Sequence, residues 1–265
     1  MRLIKISLHP EFGDQECPFR PERVFLLIGA LVLIFSVGSS SAQIDPTQFI
    51  DRSSSGPQTI SRNQLLAPGK ALHAIERAQK DLVAGHLEIA QREIARALEI
   101  APHFGVAKVM QGAIDLETGN EEGAKTLFQQ AIDDDPVLGG AYAGMAVVLI
   151  RQGRFQAALP LLDHAEGPLP RAWFVQVAKG WAELELGNTA TALKMADSAE
   201  RIAGTDSDKR SGVSYLRAMV SLHANDMARA REYLTEAAAR DRGGEYTALA
   251  TKKLERLQPL PTARR

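Results

Sequence analysis

The strongest constraint on this chain is an internal step of 34 residues. Gly85, Gly119, Gly153 and Gly187 keep it, and so do Ala90, Ala124, Ala158 and Ala192, then Ala97, Ala131, Ala165 and Ala199. Pro102, Pro136 and Pro170 make a fourth column, and the small residues Ala78, Gly112, Ala146 and Gly180 a fifth. A period of roughly 20–50 residues marks a fold made by stacking one supersecondary unit. Five columns in one register therefore commit most of the chain to a repeat architecture.

Each column has a physical reason. A first helix has to lie close to a second, which demands small side chains at the crossing. The glycines end the first helix, because glycine enters the left-handed cap conformation without steric penalty. The second helix shows apolar residues at helical spacing, as in Leu87, Ala90, Ile94, Ala97 and Leu98, or Phe155, Ala158, Leu159, Leu162 and Ala165. Proline then stops it, since the ring donates no N–H and restricts the residue before it.

These residues resemble the tetratricopeptide repeat, whose pattern has a small residue in the first helix, an Ala-x-x-x-Phe in the second and a closing Pro. Ala124, Phe128 and Pro136 match that tail, with Ile94, Leu162, Ala196 and Leu234 at the aromatic column of other units. A fifth unit keeps register through Ala218, Asn225, Ala230 and Ala237 after a four-residue insertion in the loop 204–210. The resemblance implies an all-α, right-handed superhelical solenoid over residues 70–257, with about five helix-turn-helix units and a capping helix. In the capping stretch 245–257, Leu249, Leu254 and Leu257 are expected to point inward, and Lys252, Lys253, Glu255 and Arg256 into solvent. Two first helices depart from the family pattern: Lys108, Gln111 and Asp115, then Gln176, Lys179 and Glu183, stand where large apolar residues are usual. Pro160 falls inside a second helix, which it is expected to kink or shorten.

The N-terminus carries a different signal. Residues 24–37 form an uncharged apolar run, preceded by Arg20 and Arg23 and followed by Gly38-Ser39-Ser40-Ser41-Ala42-Gln43. At about 1.5 Å per residue the run makes a helix of roughly 21 Å, short of a bilayer core of about 30 Å and suited to a signal-peptide core. Ser40 and Ala42 sit where a signal peptidase requires small residues, so the cut would fall between Ala42 and Gln43. Residues 1–42 thus read as a signal peptide, or as an anchor if residues 24–42 stay in the membrane. Either outcome puts the rest on the periplasmic or extracellular side, because Arg20 and Arg23 stay inside while Asp45 and Asp51 follow the run. Cys17, the single cysteine, precedes the run. Residues 43–69 read as a polar, proline-broken linker and residues 258–265 as a tail.

Function is bounded mainly by exclusion. Lys+Arg 31 against Asp+Glu 32 leaves a net charge of -1, which lacks the basic surplus that nucleic-acid binding requires. Nucleophile elbow, P-loop and dinucleotide fingerprints are missing. His73, His86, His103, His164 and His223 lie in different units without metal-ligand spacing. No cofactor, metal or catalytic residue is therefore expected. The resemblance implies instead that first helices line a concave groove for a peptide or partner helix. Its columns would be Leu72, Ile75, Gln79 and Leu82; Val106, Val109, Ala113 and Leu116; and Gly140, Ala143, Val147 and Ile150. Phe174, Val177, Trp181 and Leu184, then Tyr215, Met219 and Leu222, continue them. Phe174, Val177, Trp181, Leu184, Tyr215 and Met219 are the candidate protein-binding residues. This stripe has no Lys, Arg or Asn with which to clamp a carboxylate, and it suits an apolar segment; the same stripe, rotated inward, would be core. The expected function is a non-catalytic exported scaffold that binds another protein in assembling or regulating a cell-envelope complex. The alternatives left open are an accessory subunit or hydrolase with an unrecognised site, and a self-associating structural subunit. Membrane contact would come only through the N-terminal run.

Overall fold

The computed structural model describes residues 67–169, 172–204, 207–240 and 245–257, and among them it has eleven helices and no strand. The first unit comprises α1 (Gly69–Val83) and α2 (Leu87–Ile100), and the second α3 (Gly105–Glu117) and α4 (Glu121–Asp134). The third is α5 (Gly139–Arg151) with α6 (Phe155–Glu166), and the fourth α7 (Trp173–Glu185) with α8 (Thr189–Ala203). The fifth pairs α9 (Ser207–His223) with α10 (Met227–Arg240), and α11 (Glu245–Leu257) closes the stack. The first helix of each unit packs on its own second helix and, from the second unit on, on the second helix of the preceding unit. The apolar run, the Ala42–Gln43 cleavage pair and Pro170 lie outside the described residues.

The glycine column does what its position demands. Gly85, Gly119, Gly153 and Gly187 have φ of 79°, 83°, 71° and 84°. Each closes its helix with paired hydrogen bonds from the glycine N–H and the next residue's N–H, as in Gly153 N to Ile150 O (3.0 Å) and Arg154 N to Leu149 O (2.8 Å). In the fifth unit Asn225 takes this role at φ 57°, with the same two bonds to Leu222 and Ser221. Asparagine is one of the few other residues that tolerate the left-handed region. Both alanine columns of the second helices, Ala90 to Ala192 and Ala97 to Ala199, are fully buried, and Ala230 and Ala237 continue them. Pro160 stays within α6 on its exposed side, and α6 has 12 residues against 14 or 15 in the other second helices. The two positions α6 lacks are at its end, where Gly167 and Pro168 stand, so Pro160 leaves the helix continuous and the Gly-Pro pair stops it.

Space at each unit boundary is shared between helices. A Cβ built on Gly144 would lie 2.4 Å from Phe128 Cε1, and one on Gly112 would lie 2.9 Å from the same atom. The Phe128 ring thus occupies volume that two glycines leave, one in its own unit and one in the next. Two boundaries later the arrangement is reversed: Ala196 stands at the aromatic column, and Leu216 stands at the place equivalent to Gly144. A Cβ on Gly180 would meet Leu216 Cδ2 at 2.6 Å. Large and small have exchanged sides while the gap stays filled, as close-packed interiors require.

The polar residues at apolar columns of the first helices form ionic clamps across the fourth-unit and fifth-unit boundaries. Lys179 Nζ on α7 meets Asp163 Oδ1 at 2.7 Å and also pairs with Glu166, both on α6. Arg217 Nη2 on α9 meets Asp197 Oδ1 at 2.6 Å and Glu200 Oε2 at 2.7 Å, both on α8. Asp163 and Asp197 are one 34-residue step apart, as are Glu166 and Glu200. Within the second unit Lys108 pairs with Asp134, Gln111 donates to Asp115, and Asn120 donates to the other Asp115 oxygen. Burial alone pulls the Lys179 ammonium down, but the hydrogen bonds and charges of Asp163 and Glu166 together raise its pKa above the ordinary 10.5. Glu200 is held below the ordinary 4.5, chiefly by the hydrogen bond from Arg217, against the opposing effect of burial. Its contribution is present above 4.5 and is lost as pH falls through the lowered folded value.

The capping helix differs from expectation at one residue. Leu249 is buried and Leu254 and Leu257 are half-buried, but Lys253 is buried too, while Lys252, Glu255 and Arg256 are exposed. A helix face that must cover the last unit is wider than three leucines, and Lys253 lies on it with its long aliphatic stem.

Two outcomes test this packing. Phe128→Ala should cost about 3–5 kcal/mol of unfolding free energy, and adding Gly144→Leu, which copies the Ala196–Leu216 arrangement, should restore most of it. Urea denaturation of both variants measures this; an additive or larger loss would refute the shared volume. Arg217→Met should lower stability by about 1 kcal/mol at neutral pH. That difference should shrink once the pH falls below 4.5, through the depressed value of Glu200.

Candidate functional site

The groove columns come from the first helices, and their burial differs from the open apolar surface expected of them. Phe174 is 6% exposed, Val177 2%, Trp181 4%, Leu184 1%, Tyr215 2% and Met219 3%. Val106, Val109, Ala113, Leu116, Gly140, Ala143, Val147 and Ile150 are also buried, as are Ile75, Gln79 and Leu82, while Leu72 and Leu222 are half-buried. The stripe is thus brought together as sequence spacing implies, but as interior. In α7 every residue from Trp173 to Ala182 is buried, and in α5 only Tyr142, Leu149 and Arg151 are partly exposed. The large exposed apolar residues of the second helices and turns, such as Ile89, Leu193 and Met227, are scattered.

Toward the C-terminal end the stripe becomes aromatic. The Trp181 and Tyr215 rings stack with centroids 6.5 Å apart at 12°, and Tyr215 meets Tyr246 of α11 at 5.7 Å and 45°. Gly212 makes room for this cluster: a Cβ there would meet Tyr246 Cε2 at 2.8 Å and Trp173 Cζ3 at 2.9 Å. Trp181 Nε1 is fully buried and has no hydrogen-bond acceptor among the described residues. A buried indole N–H ordinarily finds one. This orphan donor is the least satisfied group of the stripe.

Sequence reasoning missed three contributors. Tyr246 has no repeat column to reveal it, because the capping helix is outside the period. Trp173 stands one residue before the groove column, and its ring reaches the space beside Gly212 on α9. Arg151 follows Ile150 at the end of α5; its Nη1 donates to Leu116 O at 2.9 Å, and its Nε lies 3.2 Å from Glu121 Oε1. It thereby satisfies a carbonyl at the end of α3, a favourable place for a cation.

The remaining titratable groups do not converge. His73 and His86 pair with Glu76 and Asp81, His103 with Asp134, and His164 packs on Tyr142 with ring centroids 3.9 Å apart. His223 Nδ1 lies 3.1 Å from Met219 O. Among the described residues no group of three or more His, Cys, Asp or Glu is placed to hold a metal ion. Asp134, in the acidic stretch Asp133-Asp134-Asp135, is held by Lys108 and His103. None of the described helices is long and apolar enough to cross a membrane.

No family model and no curated protein sequence matches the chain. Solved structures do. TTC0263, a TPR protein of Thermus thermophilus, aligns with TM-score 0.60 at 16% identity over 70% of this chain and 99% of its own. PilW, a type IV pilus biogenesis factor, aligns with TM-score 0.58 at 16% identity over 72% of this chain and 89% of its own. PilF of Pseudomonas aeruginosa gives TM-score 0.55 at 18% identity over 71% and 84%. At such identities the likeness is one of fold. Together with the 34-residue register and the paired helices, it identifies the protein as a solenoid of the tetratricopeptide-repeat fold.

Proposed function

We propose that this protein is a non-catalytic, exported scaffold whose concave face receives an apolar segment of another protein, in assembling or regulating a cell-envelope complex. The single observation that carries the reading is the Trp181 N–H in the apolar stripe of the first helices, a buried donor with no acceptor among the described residues. An arriving backbone carbonyl would satisfy that donor, and because Phe174, Val177 and Met219 beside it are buried, the face would have to open to admit the segment. Large buried aromatics are the usual anchors of such interfaces. The apolar run with its Arg20 and Arg23 flank and the Ser40-x-Ala42 pattern support the exported placement. PilW, whose fold this chain shares, is a type IV pilus biogenesis factor, which fits a scaffold role in assembly.

The orphan N–H makes an unusual demand on a single substitution. Trp181→Phe keeps most of the ring and removes the donor, so the free protein should be no less stable while affinity for the partner falls about fivefold, the worth of one neutral hydrogen bond near 1 kcal/mol. Partners would first be captured in intact cells by a photoreactive residue in place of Val177, identified by mass spectrometry, and then titrated against both forms. An exported or membrane protein that binds both forms equally would sink the assignment of Trp181. A folded protein that captures nothing would sink the groove.

A further inference from the structure

Hydrogen-bonding capacity narrows what the face round Trp181 can accept. Across the groove columns of α5, α7 and α9, the side-chain nitrogen and oxygen atoms are Trp181 Nε1 and the Tyr215 hydroxyl. Trp181 Nε1 can only donate, is buried, and has no acceptor among the described residues. The backbone groups around it are used inside α7, which runs from Trp173 to Glu185. The face therefore requires an acceptor and, the Tyr215 hydroxyl apart, provides none. An incoming α-helix has its carbonyls engaged by its own amides, and an incoming strand would bury N–H groups that find no acceptor here. A polyproline II segment meets both conditions, since its carbonyls have no internal partner and proline has no N–H.

We propose that the segment received beside Trp181 is proline-rich, in the polyproline II conformation, with a Lys or Arg close to the carbonyl that meets the indole. This rests on the groove reading of the concave face and names the chemistry of its partner. Spacing agrees with it. Three residues of polyproline II rise about 9.3 Å and bring the side chain back to the same side, and packed helices lie roughly 8–10 Å apart. Every third residue thus reaches the next first helix, in turn α5, α7 and α9, whereas a strand returns its side chain about every 6.6 Å and falls out of step. The Trp181 and Tyr215 rings, stacked with centroids 6.5 Å apart, lie where the segment passes from α7 to α9. Aromatic-lined grooves are the usual seats of such segments. The basic residue answers Glu185, which stands four residues after Trp181 and so shares its face, with Cβ atoms about 5–6 Å apart. Glu185 is exposed, yet neighbouring atoms withdraw enough water to raise its pKa above the ordinary 4.5, against the opposing charge of His223. Phe174, Val177, Trp181 and Met219 are buried, so these side chains part as the segment enters. A segment already held extended by its prolines has little conformational freedom to lose there.

The full chain and short synthetic peptides test this. The probe is a fluorescent peptide of about nine residues, built of Pro-Leu-Pro triplets with one Leu replaced by Arg, long enough to cross three first helices. Its controls are the same peptide with every proline replaced by alanine, and an amphipathic helical peptide rich in Leu and Ala. Anisotropy titration should show the proline peptide binding about tenfold tighter than either control. Trp181→Phe should weaken it about fivefold, and Glu185→Gln about threefold for the Arg-bearing probe alone. In amide correlation spectra the Trp181 indole N–H, identified by its loss in Trp181→Phe, should move downfield as the peptide is added. A helical peptide that binds as tightly, an indole resonance that does not move, or a folded protein that binds no proline peptide would overturn the proposal. The Val177 photoreactive probe keeps the two readings apart. If it captures a protein through a segment without proline, the groove stands and the proline-rich occupant falls; if it captures nothing, the groove falls and this proposal with it.

Discussion

Volume at the boundary between units is the quantity on which the rest of the stack depends. A tetratricopeptide-type solenoid has no single core; each interface with the next unit must be filled on its own. Phe128 does this at one boundary by entering space left by Gly112 and Gly144, and Leu216 does it at another by reaching Gly180 across from the small Ala196. The repeat therefore fixes the total volume at a boundary and not the identity at any one column. This explains why only one unit keeps the aromatic of the family pattern while Ile94, Phe128, Leu162 and Leu234 are all buried.

Boundaries can also be held by charge, and the boundary between the fourth and fifth units uses both solutions. The Lys179 and Arg217 clamps sit at the third-to-fourth and fourth-to-fifth boundaries. Lys179 keeps only 11% of its side chain exposed, whereas Asp163 keeps 70%, so the cation is sheltered and its partners are wet. Such pairs contribute little to net stability but fix register, because a sliding unit would leave the sheltered cation without its carboxylates. That is useful at the fifth unit, where the four extra residues expected in the loop 204–210 instead lengthen α9 to 17 residues against 13 in α3, α5 and α7, and the alanine columns alone would not specify the fit.

Much of the fold was legible because it follows from local rules. Positive φ at four glycines and at Asn225 follows from where helices must end, and the buried alanines follow from how closely two helices must cross. The fifth unit was readable through its insertion for the same reason. What could not be read depends on which side chains meet across units. Lys179 looked like a departure because its partners lie on another helix, and the 34-residue relation between Asp163 and Asp197 becomes meaningful only when Lys179 and Arg217 are seen to face them. Lys253 was misjudged because charge was taken as exposure. Spacing placed the groove stripe on one face of successive helices, but spacing carries no information on whether that face is wet.

The burial of that face sets what the solenoid can offer a partner. Each large apolar side chain gains about 1.5–3 kcal/mol on burial, and in the stripe through Val147, Trp181 and Met219 that gain is already realised within the fold. What the stripe leaves unsatisfied among the described residues is polar: the Trp181 N–H, enclosed beside Tyr215 without an acceptor. The unit boundaries do not depend on that group, since Phe128 and Leu216 fill them and Lys179 and Arg217 clamp them elsewhere. A change at Trp181 can therefore alter this face while the stacking of units stays as it is.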